Sequence, residues 1–184
     1  MCSVEEDVLK AALDAEERAR IEKEDDYTLM IVDIPAIEKE IVEKQEKDRY
    51  ITMPLAIVHL DDYIITVCLV DTPVLAQLRT GRVKGFSTHK KTRFILQIFF
   101  RVATQFLQFL RSINRQSESI EDRLHVSQKN KELFELLELQ KSLVYFTTSL
   151  RANEGVFEKM MKSEKVKRYP DDEDLLEDVI IENK

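Results

Sequence analysis

From Phe86 to Glu154 the chain contains neither glycine nor proline. Few folds satisfy that constraint. A long stretch without the residues that turn or break a backbone must lie inside regular structure. Its apolar residues select the helix. Phe94, Ile95, Ile98, Phe99, Val102, Phe106, Phe109, Leu110, Ile113, Ile120 and Leu124 recur at the spacing of one helical face. The pattern loses its apolar members around His125–Asn130. It resumes with Leu133, Leu136, Leu137, Leu143, Val144, Leu150 and Phe157. Two long helices joined by a short polar turn make an antiparallel hairpin. Each arm would span roughly 45–50 Å, more than a compact domain needs. Such a hairpin has to pack along a sheet, a neighbour or a third helix.

The residues before it read differently. Val4–Leu13 is predicted helical, with Ser3 as N-cap and Val4, Val8, Ala11 and Ala12 on one face. Arg18–Glu24 alternates, Asp25-Asp26 is a turn, and Tyr27–Ile34 is a β-branched, apolar strand that Pro35 is predicted to end. Residues 36–48 are charged and read as a connecting segment. Tyr50–Leu60 and Tyr63–Val70 flank Asp61-Asp62 as a hairpin, with Pro54 marking an edge strand or a bulge. Pro73–Arg79 is a short helix with proline in its first turn. From Pro170 acidic residues open a last helix and apolar ones follow. No glycine or proline closes it, so it is predicted to run on past Lys184 as part of something longer. The residues therefore read as α/β at the front, a long antiparallel helix hairpin behind it, and the start of a further helix.

Composition narrows the function. A net charge of −7 argues against nucleic acid as a partner, which calls for a basic patch. An acidic surface suits cations or plain solubility. Cys2 and Cys68 fit neither a disulfide framework nor a zinc site, and Cys68 reads as a buried thiol in a reducing compartment. The N-terminus lacks the basic and apolar regions of a signal peptide. No apolar run is long enough to span a bilayer.

No nucleophile elbow, P-loop, dinucleotide fingerprint or HExxH motif is present. His59, His89 and His125 are far apart, so the sequence is not read as an enzyme. The basic stretch Arg79–Arg93 has two readings: an anion or headgroup site, or a connector and helix start facing an acidic partner. The acids of the last helix are the best candidates for chemistry. Asp171, Asp174, Asp178 and Glu182 are spaced three, four and four and share one face. They can bind a hard divalent cation such as Mg²⁺ through oxygen ligands. They can equally serve the helix dipole and cap.

The run KELFELLELQKSLVYFTTSLRANE, followed by YPDDEDLLEDVIIENK, resembles the cytoplasmic part of CorA-type magnesium transport proteins. LKAALDAEERARIEKEDDYTLMIVDIP, ITMPLAIVHLDDYIITVC and STHKKTRFILQIFFRVATQFLQFLRSIN agree collinearly. The resemblance implies an α+β fold: a partial α/β/α sandwich with a mainly antiparallel sheet over residues 1–85, a long antiparallel helix hairpin over 86–168, and the start of a stalk helix over 169–184. It also implies a homopentameric Mg²⁺ channel, possible also for Co²⁺ or another divalent ion, in the inner membrane. This part would stand on the cytoplasmic side. It implies that 169–184 starts a stalk helix leading to membrane helices and a Gly-Met-Asn signature absent from this chain, and that the first strands of the α/β domain precede Met1. It further implies regulation by Mg²⁺ held between carboxylates of adjacent subunits. Asp178 falls on the stalk position, with Asp174 one turn before it. The partner position falls on Ala11, which carries no carboxylate, and Asp14, Glu16 and Glu17 are the nearby acids. The competing reading is a soluble helical interaction module whose acid stripe only caps a helix.

Overall fold

The computed structural model describes residues 6–42, 45–80, 89–127, 130–162 and 170–184. Helix α1 (Glu6–Ala12) precedes four strands, β1 (Arg20–Lys23), β2 (Tyr27–Val42), β3 (Gln45–Leu60) and β4 (Ile64–Cys68). Helices α2 (Pro73–Arg79), α3 (Lys91–Ser127), α4 (Asn130–Met161) and α5 (Pro170–Asn183) follow. The strands form one antiparallel meander in the order β1-β2-β3-β4.

Side-chain alternation divides the sheet's two faces. Leu29, Ile31, Ala56 and Val58 pack with Val8 and Ala12 of α1. Met30, Val32, Leu55 and Ile57 face the other way, into a larger core with α3, α4 and α5. The result is the α/β/α sandwich that the resemblance implies. Its larger core is aromatic. Phe99 and Phe157 lie 4.7 Å apart between ring centroids, and Phe106 meets Phe146 edge-on at 5.0 Å. The expected helix hairpin is present, 37 residues in α3 and 32 in α4. It packs along both the sheet and α5.

Pro35 does not end β2, which pairs with β3 in unbroken register from Tyr27↔Leu60 to Val42↔Gln45. The reason lies in which way the prolines face. The Asp33 N–H donates to Asn153 Oδ1 at 2.8 Å, and the Asp33 carbonyl accepts from Asn153 Nδ2 at 2.8 Å. Both groups therefore point away from β3, so Asp33↔Pro54 is a non-hydrogen-bonded pair. Two residues on, Pro35 also turns its nitrogen outward, beyond the last β1 pairing at Ile31. Pro54 faces the β4 side just past the last β4 pairing, Leu55↔Cys68. Neither proline removes a ladder bond, and Pro54 needs neither a bulge nor an edge strand.

Residues 36–48 are thus no connector. They form the outer half of a two-stranded arm. Its register sets Glu38 opposite Arg49, Lys39 opposite Asp48 and Glu40 opposite Lys47. Opposite charges thus face each other at three successive positions of the ribbon, an arrangement that favours this register. Arg49 Nη1 lies 3.6 Å from Glu38 Oε2. The arm also twists. Strict alternation would send Tyr50 to the α1 face, yet it packs in the helix-side core, 5.6 Å from the Phe109 ring. Two-stranded ribbons twist more than wide sheets, and among the described residues no strand flanks the arm to restrain it.

Asn153, with Ser149 and Ser142 on the same side of α4, acts as a substitute strand. Ser142 Oγ donates to the Tyr50 carbonyl at 2.9 Å, and Ser149 bonds the Asp33 carboxyl. Burial pushes the Asp33 carboxyl above its ordinary range, with the Ser149 bond opposing. A raised native carboxyl destabilises the fold when charged. Stability should therefore rise as pH falls through that raised value toward the unfolded Asp pKa of about 3.9. Asp33→Asn removes the penalty. Its melting temperature should exceed the parent's at pH 7, and the gap should close near pH 4. A gap independent of pH would reject the assignment.

Candidate functional site

Helix α5 shows why its acids divide into two groups. Pro170 opens it with a φ suited to the first turn, and the acids that follow suit the positive end of the dipole. Asp172, Leu176, Val179 and Asn183 recur at four, three and four residues, and all are buried. Asp174 and Asp178 lie on the solvent side, and Glu182 is half-buried. Asp172 is 0% exposed, and Arg93 Nη1 at the start of α3 lies 3.4 Å from its Oδ1. At the other end Asn183 Nδ2 donates to the Leu150 carbonyl at 2.9 Å, and Lys184 Nζ sits 3.6 Å from Glu154. These two ends fix α5 in the furrow between α3 and α4.

Asp14 lies elsewhere. It follows α1, exposed, with Oδ1 accepting the Glu16 N–H at 2.9 Å. Ala11 is half-buried against the α1-side core. Because α1 and α5 cover opposite faces of the sheet, one chain brings Asp174 and Asp178 together on one helix face but keeps Asp14 away from both. Among the described residues, no three His, Cys, Asp or Glu side chains converge in a set that could hold a metal ion.

The other candidates also separate. His59 pairs with Ile64 at the β3–β4 edge, its pKa lowered by burial and by Lys91. His89 and His125 are exposed. Cys68 is free and half-buried rather than fully enclosed, with burial pushing its thiol up. Cys2 lies outside the described residues, as does most of the basic stretch, residues 81–88. At the end of that stretch Arg93 faces an acid within the fold, as the connector reading expects. Asp172 escaped the sequence reading because the acid stripe drew attention to the opposite face. Its spacing with Leu176, Val179 and Asn183 is the signal that marks it.

A sequence profile of the CorA-like Mg²⁺ transporter protein family matches residues 1–184. The chain belongs to that family. The cobalt/magnesium transport protein CorA of Methanocaldococcus jannaschii is 25% identical over 157 residues, which are 80% of this chain and 45% of that protein. This chain thus spans less than half the relative's length. The soluble domain of CorA from the same organism superposes with a TM-score of 0.79 at 23% identity, over 95% of this chain and 68% of the other. The complete CorA magnesium transporter structure from that organism gives 0.80 at 21% identity, over 98% and 55%. The family fold is therefore that of the CorA soluble domain. No helix among the described residues is long and apolar enough to cross a membrane.

Proposed function

We propose that this chain is the ion-responsive, cytoplasmic part of a CorA-like channel for Mg²⁺ or Co²⁺, working in a homopentamer at the inner membrane. Family membership carries the transport reading. The arrangement of acids supports the regulatory one. Asp174 and Asp178 are exposed on a helix whose other face is packed, while Asp14 is exposed across the sheet. A ring with head-to-tail contacts joins two different surfaces of each subunit. In such a ring Asp178, with Asp174, meets the Asp14 region of its neighbour. Carboxylates brought together repel, and a hydrated divalent cation between them relieves the repulsion. Cation binding would then favour the closed, symmetric ring, and its loss would favour opening.

The furrow beyond α5 supports the stalk reading for residues 169–184. Past the Asn183–Leu150 contact it continues between α3 and α4 over Leu110, Ile113, Leu136, Leu139 and Leu143. These apolar positions offer a track for a longer helix on the same line.

Thermal melting with added Mg²⁺ tests the proposal. Full occupancy at about a hundredfold excess over Kd stabilises a fold by about 2.7 kcal/mol. The parent's melting temperature should climb with the logarithm of the Mg²⁺ concentration above Kd, and Asp178→Ala should lose at least half of that rise. An identical rise in both proteins would reject the site. The interaction-module reading draws on a second apolar stripe, Leu133, Leu137 and Val144, exposed on α4. It predicts no Mg²⁺ response in either protein.

A further inference from the structure

The outer part of the β-arm faces α3 and α4 across a cleft. Its inner end is anchored. The Tyr50 ring lies among Phe109 and Phe146, its hydroxyl accepts from Gln116 at 2.7 Å, and its carbonyl accepts from Ser142. Beyond Tyr50 the contact changes character. A cleft of about 960 Å³ opens between the arm and the helices, with Tyr50, Ile120 and Leu139 among its lining residues. Lys47 Nζ reaches across to Glu135 Oε1 of α4 at 2.7 Å. The other oxygen of Glu135 is held by Arg123 of α3. One carboxylate therefore ties three elements together. Among the described residues no strand flanks the arm outside this contact, and Ile41 is 78% exposed.

We propose that the outer arm, residues 38–42 and 45–49, is a strap closed over this cleft by the three-way ion pair Lys47–Glu135–Arg123. An isolated two-stranded ribbon is marginal in water, so its position depends on what holds it to the body. Here a charged contact, Lys47 to Glu135, stands where the inner arm has aromatic packing. Since Arg123 and Lys47 share Glu135, the strap's position and the spacing of the α3 and α4 tips are coupled. The Lys47 hydrogen bond also keeps the Glu135 carboxyl below its usual range, so the latch is charged at neutral pH.

Amide hydrogen exchange on the parent, Glu135→Gln and Lys47→Gln tests the strap. Both variants should raise exchange in residues 38–42 and 45–48 about tenfold and leave residues 55–60 at the parent rate. Only Glu135→Gln should also loosen the α3 and α4 tips, because Lys47→Gln keeps the Arg123 pair. Parent-like exchange of the arm in both variants would overturn the proposal. So would an equal rise across residues 55–60, which signals general loss of stability and not release of a strap.

Discussion

Asn153→Ala is expected to lower the unfolding free energy by about 3 kcal/mol, or roughly 6–12 °C in melting temperature for a domain of this size. The side chain is 0% exposed and makes two 2.8 Å bonds to one strand residue. Alanine leaves both the Asp33 N–H and its carbonyl without that partner, beside a strand whose next outward position is a proline. Each buried backbone group left unpaired costs about 1–3 kcal/mol, so two of them exceed an ordinary surface change. Asn153→Asp separates the two bonds. It keeps an acceptor for the N–H, turns a second oxygen on the carbonyl, and buries a charge, so it should be at least as damaging. Urea unfolding of the variants measures this. A loss under 1 kcal/mol for Asn153→Ala would mean that water or a neighbour takes over the edge of β2.

That edge also explains what the sequence could and could not reveal. The hairpin helices were legible because seventy residues' worth of pattern repeats locally, and α2 because Thr72 and Pro73 form a helix start on their own: the Thr72 hydroxyl accepts the Val74 N–H. The hairpin at Asp61-Asp62 was equally local, closed by the Leu60 N–H on the Tyr63 carbonyl. The arm was not. Whether Pro35 stops a strand depends on which neighbour its nitrogen faces, and that is set by Asn153, far away in sequence. The charge ladder of Glu38, Lys39 and Glu40 against Arg49, Asp48 and Lys47 becomes readable only once the register is known.

Helix α4 illustrates the same limit. Its apolar residues form two stripes, and the period alone does not say which is inside. Leu150 and Phe157 pack in the core, whereas Leu133, Leu137, Leu143 and Val144 are exposed. The polar residues decide the matter, since Ser142, Ser149 and Asn153 are buried where they bond the strand backbones. For the candidate site, sequence spacing puts Asp171, Asp174, Asp178 and Glu182 on one helix face, of which Asp174 and Asp178 are exposed and Glu182 half-buried. It could not show that α1 and α5 lie on opposite sides of the sheet, which keeps Asp14 away from Asp178 within one chain.

Arg93→Ala is the second large expected effect, about 2–3 kcal/mol. Removing one partner of a buried ion pair costs about 3–5 kcal/mol when the remaining charge is enclosed. Asp172 is enclosed, but Arg93 is 26% exposed and Asp172 keeps other interactions, which brings the loss below that range, to about 2–3 kcal/mol. The double variant Arg93→Met with Asp172→Leu should recover most of it, because two apolar groups of similar shape need no pairing. Arg93 touches no proposed cation ligand, yet it anchors the N-terminal end of α5, the helix that carries Asp174 and Asp178. If those carboxylates act through the orientation of α5, Arg93→Ala should also weaken the Mg²⁺-dependent rise in melting temperature, and the double variant should restore it with every proposed ligand unchanged. A full Mg²⁺ response in Arg93→Ala, despite the loss of stability, would show that the anchor holds the fold without setting the direction of the site.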